Sequence, residues 1–141
     1  MKRFAIGYGL VLVLMLAFDF VWLSATAETL YRPAMHGLMR DGFVLAPAVA
    51  FYVLYAFAMT WVVVKPVLFD GGGWPRSAGA LSLRAGLFAL AAFGTYDLTA
   101  MAVIRDWPVT LSFIDMGWGT LNALLTVNLA AFLLRALGQI N

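Results

Sequence analysis

Long apolar runs, separated by short polar segments, dominate the hydrophobic pattern of this chain. Four of these runs exceed the length of about 20 residues that a helix needs to cross a hydrocarbon layer of about 30 Å. The predicted spans are residues 4–25, 43–64, 83–104 and 111–134, with a turn at residues 71–75 before the third. The pattern therefore predicts an all-α polytopic membrane protein, with four transmembrane helices packed in a compact bundle as a single domain.

The segment between the first two spans, residues 26–42, is too polar to cross a membrane. It still contains scattered apolar residues such as Leu30, Tyr31 and Met35, as an amphipathic segment at a membrane surface does. We predict an interfacial segment here. It holds His36, the only histidine of the chain, which could titrate near neutral pH or bind a metal, although a lone loop histidine is more often simply solvated.

Composition supports the membrane assignment. Hydrophobic residues make up 64% of the chain and charged residues 11%, whereas soluble domains are about half apolar and a quarter charged. The net charge of +2 is too small to favour a nucleic acid partner. The chain has no cysteine, which excludes disulfides and thiolate chemistry, and we expect neither a metal site nor a cofactor.

Basic residues predict the orientation. One side of the predicted bundle would carry Lys2, Arg3, Lys65, Arg76, Arg84 and Arg135, and the other Arg32, Arg40 and Arg105. The positive-inside rule places the richer side in the cytoplasm, so both termini are expected to face the cytoplasm of a bacterial-type inner membrane. The alternative is a cleaved signal peptide ending near Ala27, which the length of the first apolar run and its Asp19 and Trp22 disfavour.

Three acidic residues fall inside the apolar spans: Asp19, Asp97 and Asp115. An ionised side chain at the centre of a membrane helix costs at least about 2.5 kcal/mol, so each needs a reason to be there. At 1.5 Å of rise per residue, all three fall in the outer half of their spans. We expect them to converge on one pocket.

Helical spacing adds neighbours to this set. Trp22 lies three residues after Asp19, and Trp118 three after Asp115, a spacing that puts indole and carboxyl group on one helix face. Residues with hydrogen-bonding groups at similar depth complete the candidate ligand-binding set: Tyr52, Tyr55, Thr95, Tyr96, Thr99 and Asn122. The alternative is a polar network that only holds helices together. Asp115 could also cap the fourth helix, and the tryptophans could belong to an interfacial aromatic belt.

Neighbouring carboxylates repel one another, so such a layer implies a bound proton, a cation or a compensating arginine. Arg32, Arg40 and Arg105 border this layer of acids, and they could also make the site suitable for an anionic lipid head group. Indoles beside the acids would suit an organic cation. Two acids with separated pKa values would suit acid–base catalysis.

Four strings in this order carry a resemblance: DFVWL from Asp19, GTYDLT from Gly94, Trp107–Pro108, and DMGWGT from Asp115. The chain resembles, over nearly its whole length, a bacterial family of small membrane proteins classed as a domain of unknown function. The family pattern has asparagine after TYDLT, where this chain has Ala100, so any role of an amide there is in doubt. The resemblance implies a genetic neighbourhood of enzymes that modify membrane fatty acids.

Three hypotheses follow. The first is a binding or accessory protein whose pocket holds a lipid, an amphipathic ligand or a cation, with membrane lipids and lipid-modifying enzymes as partners. The second is a proton- or cation-coupled transporter built as a homodimer, with Asp19 or Asp97 as the exchanging site. The third is an enzyme using Asp97 and Asp19 as acid and base, which the lack of a metal box, nucleophile motif or nucleotide loop disfavours.

Overall fold

A computed structural model describes residues 1–71, 74 and 77–141 of the chain. The all-α prediction is confirmed, because four helices are long and apolar enough to cross a membrane and no strand occurs among these residues. The helices are α1 (Lys2–Ala34), α2 (Leu45–Phe69), α3 (Ala78–Val103) and α4 (Val109–Ala136). The predicted turn at residues 71–75 lies largely outside the described residues, as does Arg76.

Helix α1 extends well beyond its predicted end at residue 25. Its α-helical part, Lys2–Thr26, continues through a π-helical turn at Ala27–Tyr31 and a last short stretch, Arg32–Ala34. Glu28 and Arg32 pair within this extension, with Nε and Oε2 2.9 Å apart, a spacing that stabilises exposed helix. The fall in hydropathy after residue 25 therefore marks the end of the apolar run and not of the helix, and only residues 35–44 connect α1 to α2.

Helix α2 also passes its predicted end, residue 64. After Met59 it widens into a π-helical segment, Thr60–Phe69, that contains Pro66, a residue with no backbone N–H to donate. A 2.6 Å ion pair between Lys65 and Asp70 spans the end of this segment. The polar residues and the proline after residue 64 predict the end of the helix. This prediction is wrong, because the wider π-helical segment accommodates them.

Small residues bring α3 and α4 close together. Ala85 and Ala89 of α3 are fully buried, and Gly86 faces Leu124 and Thr120 of α4. Asn128 donates a 2.9 Å hydrogen bond to Ser82 across the same interface. Close approach of backbones at small residues is how membrane helices associate, and α1 and α2 complete the bundle around this pair.

The two ends of the bundle differ. Arg3, Phe69 and Gly138 to Asn141 line one cavity, so the chain termini meet at one end. The connections at residues 35–44 and 104–108 lie at the opposite end, which we call the loop end. The polar networks described next occupy the half of the bundle toward it.

Candidate functional site

The Asp19 carboxylate is a junction between three helices. Its Oδ2 accepts a 3.0 Å hydrogen bond from the Tyr52 hydroxyl of α2. Its Oδ1 accepts bonds from Trp118 Nε1 at 2.8 Å and Asn122 Nδ2 at 2.7 Å, both from α4. Trp118 and Asn122 are four residues apart, which places them on one face of α4. With both oxygens engaged, Asp19 acts as a structural acceptor that fixes α1 against α2 and α4.

Asn122 extends this junction toward the bundle centre. Its side chain is buried, and its Oδ1 accepts a 2.9 Å hydrogen bond from Thr126, also buried. The side-chain polar atoms of Asn122 and Thr126 thus have hydrogen-bond partners within the apolar core, as buried polar groups require. Thr126 was absent from the predicted set, although its four-residue spacing from Asn122 was a usable signal.

Asp115 is held by a residue that the sequence did not mark as part of the site. The Tyr31 hydroxyl donates a 2.5 Å hydrogen bond to Asp115 Oδ1 and accepts one of 3.1 Å from Trp22 Nε1. Nine residues of straight α-helix would put Trp22 and Tyr31 about 13 Å apart along the axis and on opposite faces. Their contact therefore requires the change of helix geometry at Ala27–Tyr31.

The indoles of Trp22 and Trp118 join the two networks. Their rings stack with centroids 4.4 Å apart and planes 7° from parallel. Because Trp118 donates to Asp19 and Trp22 donates to Tyr31, the stack links the two acids through aromatic contact. The two Asp-x-x-Trp pairs of the sequence thus form one assembly, and these two tryptophans are not simple belt residues.

Asp97 of α3 is more deeply buried than the other two acids, with 2% of its surface exposed. Ser112 and Asp115 of α4 are polar side-chain neighbours of Asp97, and Ser112 itself accepts a 2.8 Å hydrogen bond from Trp107 Nε1. Within the described part of the chain, Asp97 Oδ2 has no hydrogen-bond partner. An orphan carboxyl oxygen in a membrane interior is costly, so Asp97 is a candidate site residue.

The remaining predicted residues do not take part in these hydrogen-bonded networks. Thr95 and Thr99 are exposed and donate back to carbonyl groups of α3, those of Ala91 and Thr95. Tyr96 is 58% exposed and packs edge-on against Trp107. Tyr55 is buried, and its hydroxyl has no partner among the described residues. Neighbours of Asp97 in sequence turn to other helix faces by about 100° per residue, so the predicted threonines do not join the acids.

A cavity of about 120 Å³ lies beside Asp115, and Phe51, Ala92, Phe93 and Tyr96 form the rest of its lining. Its wall is thus aromatic and apolar apart from one carboxyl group and one phenol. The volume corresponds to about four water molecules, enough for the end of an amphipathic molecule. Phe51 and Phe93 could not be singled out from the sequence, because nothing distinguishes them from other core aromatics.

Among the described residues, none of Asp19, Asp97 and Asp115 forms an ion pair with a basic side chain. The two ion pairs among the described residues join Arg32 to Glu28 and Lys65 to Asp70. The capping alternative for Asp115 is wrong, because α4 begins at Val109 with Pro108 as its N-cap residue. His36 is exposed in the connection after α1, and the described residues hold no group of three or more side chains suited to a metal ion.

Comparison with known proteins identifies the family. No curated protein and no solved structure matches the chain. The family model described as "Predicted membrane protein (DUF2177)" matches residues 4–132, a range that includes α2 and α3, most of α1 and α4, and both acid networks. The chain therefore belongs to this family of membrane proteins of unknown function.

Proposed function

We propose that the protein binds a small amphipathic cation in the cavity beside Asp115. The observation that carries the proposal is the composition of that cavity, in which a single carboxyl group faces aromatic and apolar walls. Ligand sites of this kind combine apolar contact with a few polar groups that fix orientation. The Asp115 carboxylate would receive the charged group, and Phe51 and Phe93 would cover the apolar part.

The charge balance around the site favours a cation over an anion. Asp115 has Asp97 as a neighbour, and neither belongs to an ion pair among the described residues. An anionic head group would be repelled by both carboxyl groups, whereas an ammonium group would be attracted to them and to the face of Tyr96.

The direct test compares two probes of equal length, hexylammonium and 1-hexanol, in melting experiments on the purified protein in detergent. A ligand that binds only the folded state raises the melting temperature, and the stabilisation grows with the logarithm of 1 + [L]/Kd. We expect hexylammonium to stabilise the wild type more than hexanol does, and Asp115→Asn to remove the difference. Thr99→Ala, a change on the exposed face of α3, is the matched control. Equal effects of both probes on the wild type would contradict the proposal.

Proton- or cation-coupled transport is the second candidate, and the orphan Oδ2 of Asp97 favours it. A buried carboxyl group next to Asp115 can exchange a proton for a cation without moving any other charge. Four helices would require a homodimer to form a path. In proteoliposomes, the candidate predicts cation flux driven by a pH gradient that Asp97→Asn abolishes and Thr99→Ala does not. Flux that persists in Asp97→Asn, or no flux in the wild type, would contradict it.

We place the protein in a bacterial inner membrane with both termini in the cytoplasm. The support is the six-to-three distribution of lysines and arginines that the sequence predicts for the two sides of the membrane. Reporter fusions to the C-terminus test the orientation: a periplasmic reporter that becomes active there would overturn it. Association with lipid-modifying enzymes rests on the family resemblance alone, and co-purification from cells would test it.

A further inference from the structure

A second cavity lies at the loop end, where the chain passes from α1 into α2. Its volume is about 590 Å³, and its lining includes Arg40, Asp41, Phe43, Val44 and Pro47. This groove shares no residue with the lining of the cavity beside Asp115. It is thus a separate feature of the molecule.

Arg40 and Asp41 give the groove two opposite charges. Arg32, which also lines it, is already paired with Glu28. Within the described part of the chain, neither Arg40 nor Asp41 belongs to an ion pair or donates or accepts a side-chain hydrogen bond. One cationic and one anionic side chain, adjacent in sequence, are thus both available to a ligand.

The rim of the groove is apolar and exposed. Phe43 is 81% exposed and Val44 47%, although both lie next to the charged pair at the start of α2. Large exposed apolar residues beside charged ones, at the end of a membrane helix, are typical of the boundary between head groups and acyl chains.

We propose that this groove binds the head group of a zwitterionic phospholipid with a primary ammonium group, such as phosphatidylethanolamine. The phosphate would pair with Arg40, whose guanidinium suits two phosphate oxygens, and the ammonium with Asp41. The acyl chains would lie over Phe43 and Val44. An anionic lipid would satisfy Arg40 but be repelled by Asp41, and a quaternary ammonium group could not donate hydrogen bonds to Asp41.

The test measures binding of dioctanoyl phosphatidylethanolamine, phosphatidylcholine and phosphatidylglycerol to the detergent-purified protein by native mass spectrometry. We expect the ethanolamine lipid to bind best. Arg40→Gln should weaken it about tenfold, or about 1.4 kcal/mol, because glutamine keeps a hydrogen-bond donor but lacks the charge and the paired donors of the guanidinium. Asp41→Asn should weaken it similarly and shift the preference toward phosphatidylglycerol. Arg105→Gln, in the other connection at this end, is the matched control and should leave binding unchanged.

The outcomes separate this proposal from the one above. Asp115→Asn should leave phospholipid binding intact, and Arg40→Gln should leave the hexylammonium effect intact. If the three lipids bind equally and neither groove variant matters, the groove is not a head-group site. If phosphatidylglycerol binds best to the wild type, or Asp41→Asn has no effect, the assignment to a zwitterion is wrong.

Discussion

The indole rings of Trp22 and Trp118 stack between α1 and α4 with their centroids 4.4 Å apart. Nε1 of Trp118 donates a hydrogen bond to Asp19, and Nε1 of Trp22 donates one to Tyr31. Aromatic pairs contribute about 0.5–1.5 kcal/mol beyond the burial of their area. We therefore expect a double-mutant cycle of Trp22→Leu and Trp118→Leu to show a coupling of that size in the free energy of unfolding. Trp61, which contacts Phe4 and Phe57, supplies the control: Trp22→Leu and Trp61→Leu should be additive. Additive effects in the first pair would mean that the stack contributes nothing.

We expect the Tyr31 side chain to matter for the stability of the fold as much as the acidic side chains of the site do. Tyr31→Phe removes the donor to Asp115 and the acceptor of Trp22, so we expect a loss of about 1–3 kcal/mol in denaturant unfolding in detergent. Tyr8→Phe is matched in chemistry, but it removes only a 3.4 Å contact with the Val53 carbonyl oxygen. Its effect should be below about 0.5 kcal/mol. Equal effects of the two changes would mean that the Tyr31 bonds do not stabilise the fold.

Gly119 is needed because the Phe93 ring lies against α4. A Cβ at position 119 would come within 2.5 Å of that ring, whereas a Cβ at position 117 meets nothing within 4 Å. Gly119→Ala should therefore displace Phe93 and destabilise the protein by about 1–3 kcal/mol. Gly117→Ala should be neutral or slightly stabilising, because alanine favours helix. Melting temperatures of the two variants provide the check, and a Gly119→Ala variant as stable as Gly117→Ala would show that the ring moves freely.

Asp97 differs from Asp19 in what its loss should do. Asparagine at position 97 would place an amide donor beside the Asp115 carboxylate, in a position where a carboxyl oxygen now has no partner. We expect Asp97→Asn to be at least as stable as the wild type. If the new hydrogen bond forms, the variant should be more stable by about 1 kcal/mol. Strong destabilisation in melting experiments would show that Asp97 is a structural residue, and it would remove the support for proton-coupled transport.

Hydropathy alone predicts the four helices and the burial of acids, but it does not predict where helices end. Glu28 and Arg32 look like loop residues, yet they pair along a helix that continues through a π-helical turn. That turn brings Tyr31 to Asp115. A regular period of 3.6 residues per turn does not include this change of helix geometry. The sequence therefore does not predict that Tyr31 belongs to the site.

The acid site is predictable in part. Three-residue spacing predicts an indole beside each of Asp19 and Asp115, and both indoles do join the acid networks, but Trp118 donates to Asp19 and Trp22 donates to Tyr31, which holds Asp115. Seven-residue spacing places Asn122 on the Asp115 face of α4. Thr95 and Thr99 lie on other faces of α3 than Asp97. Their position follows from helix geometry and could have been anticipated. The aromatic lining of the cavity could not, since it depends on which side chains of α2 and α3 meet across an interface.

The most direct test of the account compares Asp115→Asn and Asp19→Asn for both hexylammonium affinity and melting temperature. Asp19 accepts hydrogen bonds from three side-chain donors, whereas Asp115 lies on the cavity wall. We predict that Asp115→Asn loses hexylammonium binding but keeps most of its stability, and that Asp19→Asn loses stability but keeps binding. Unchanged affinity in Asp115→Asn would contradict the proposed site.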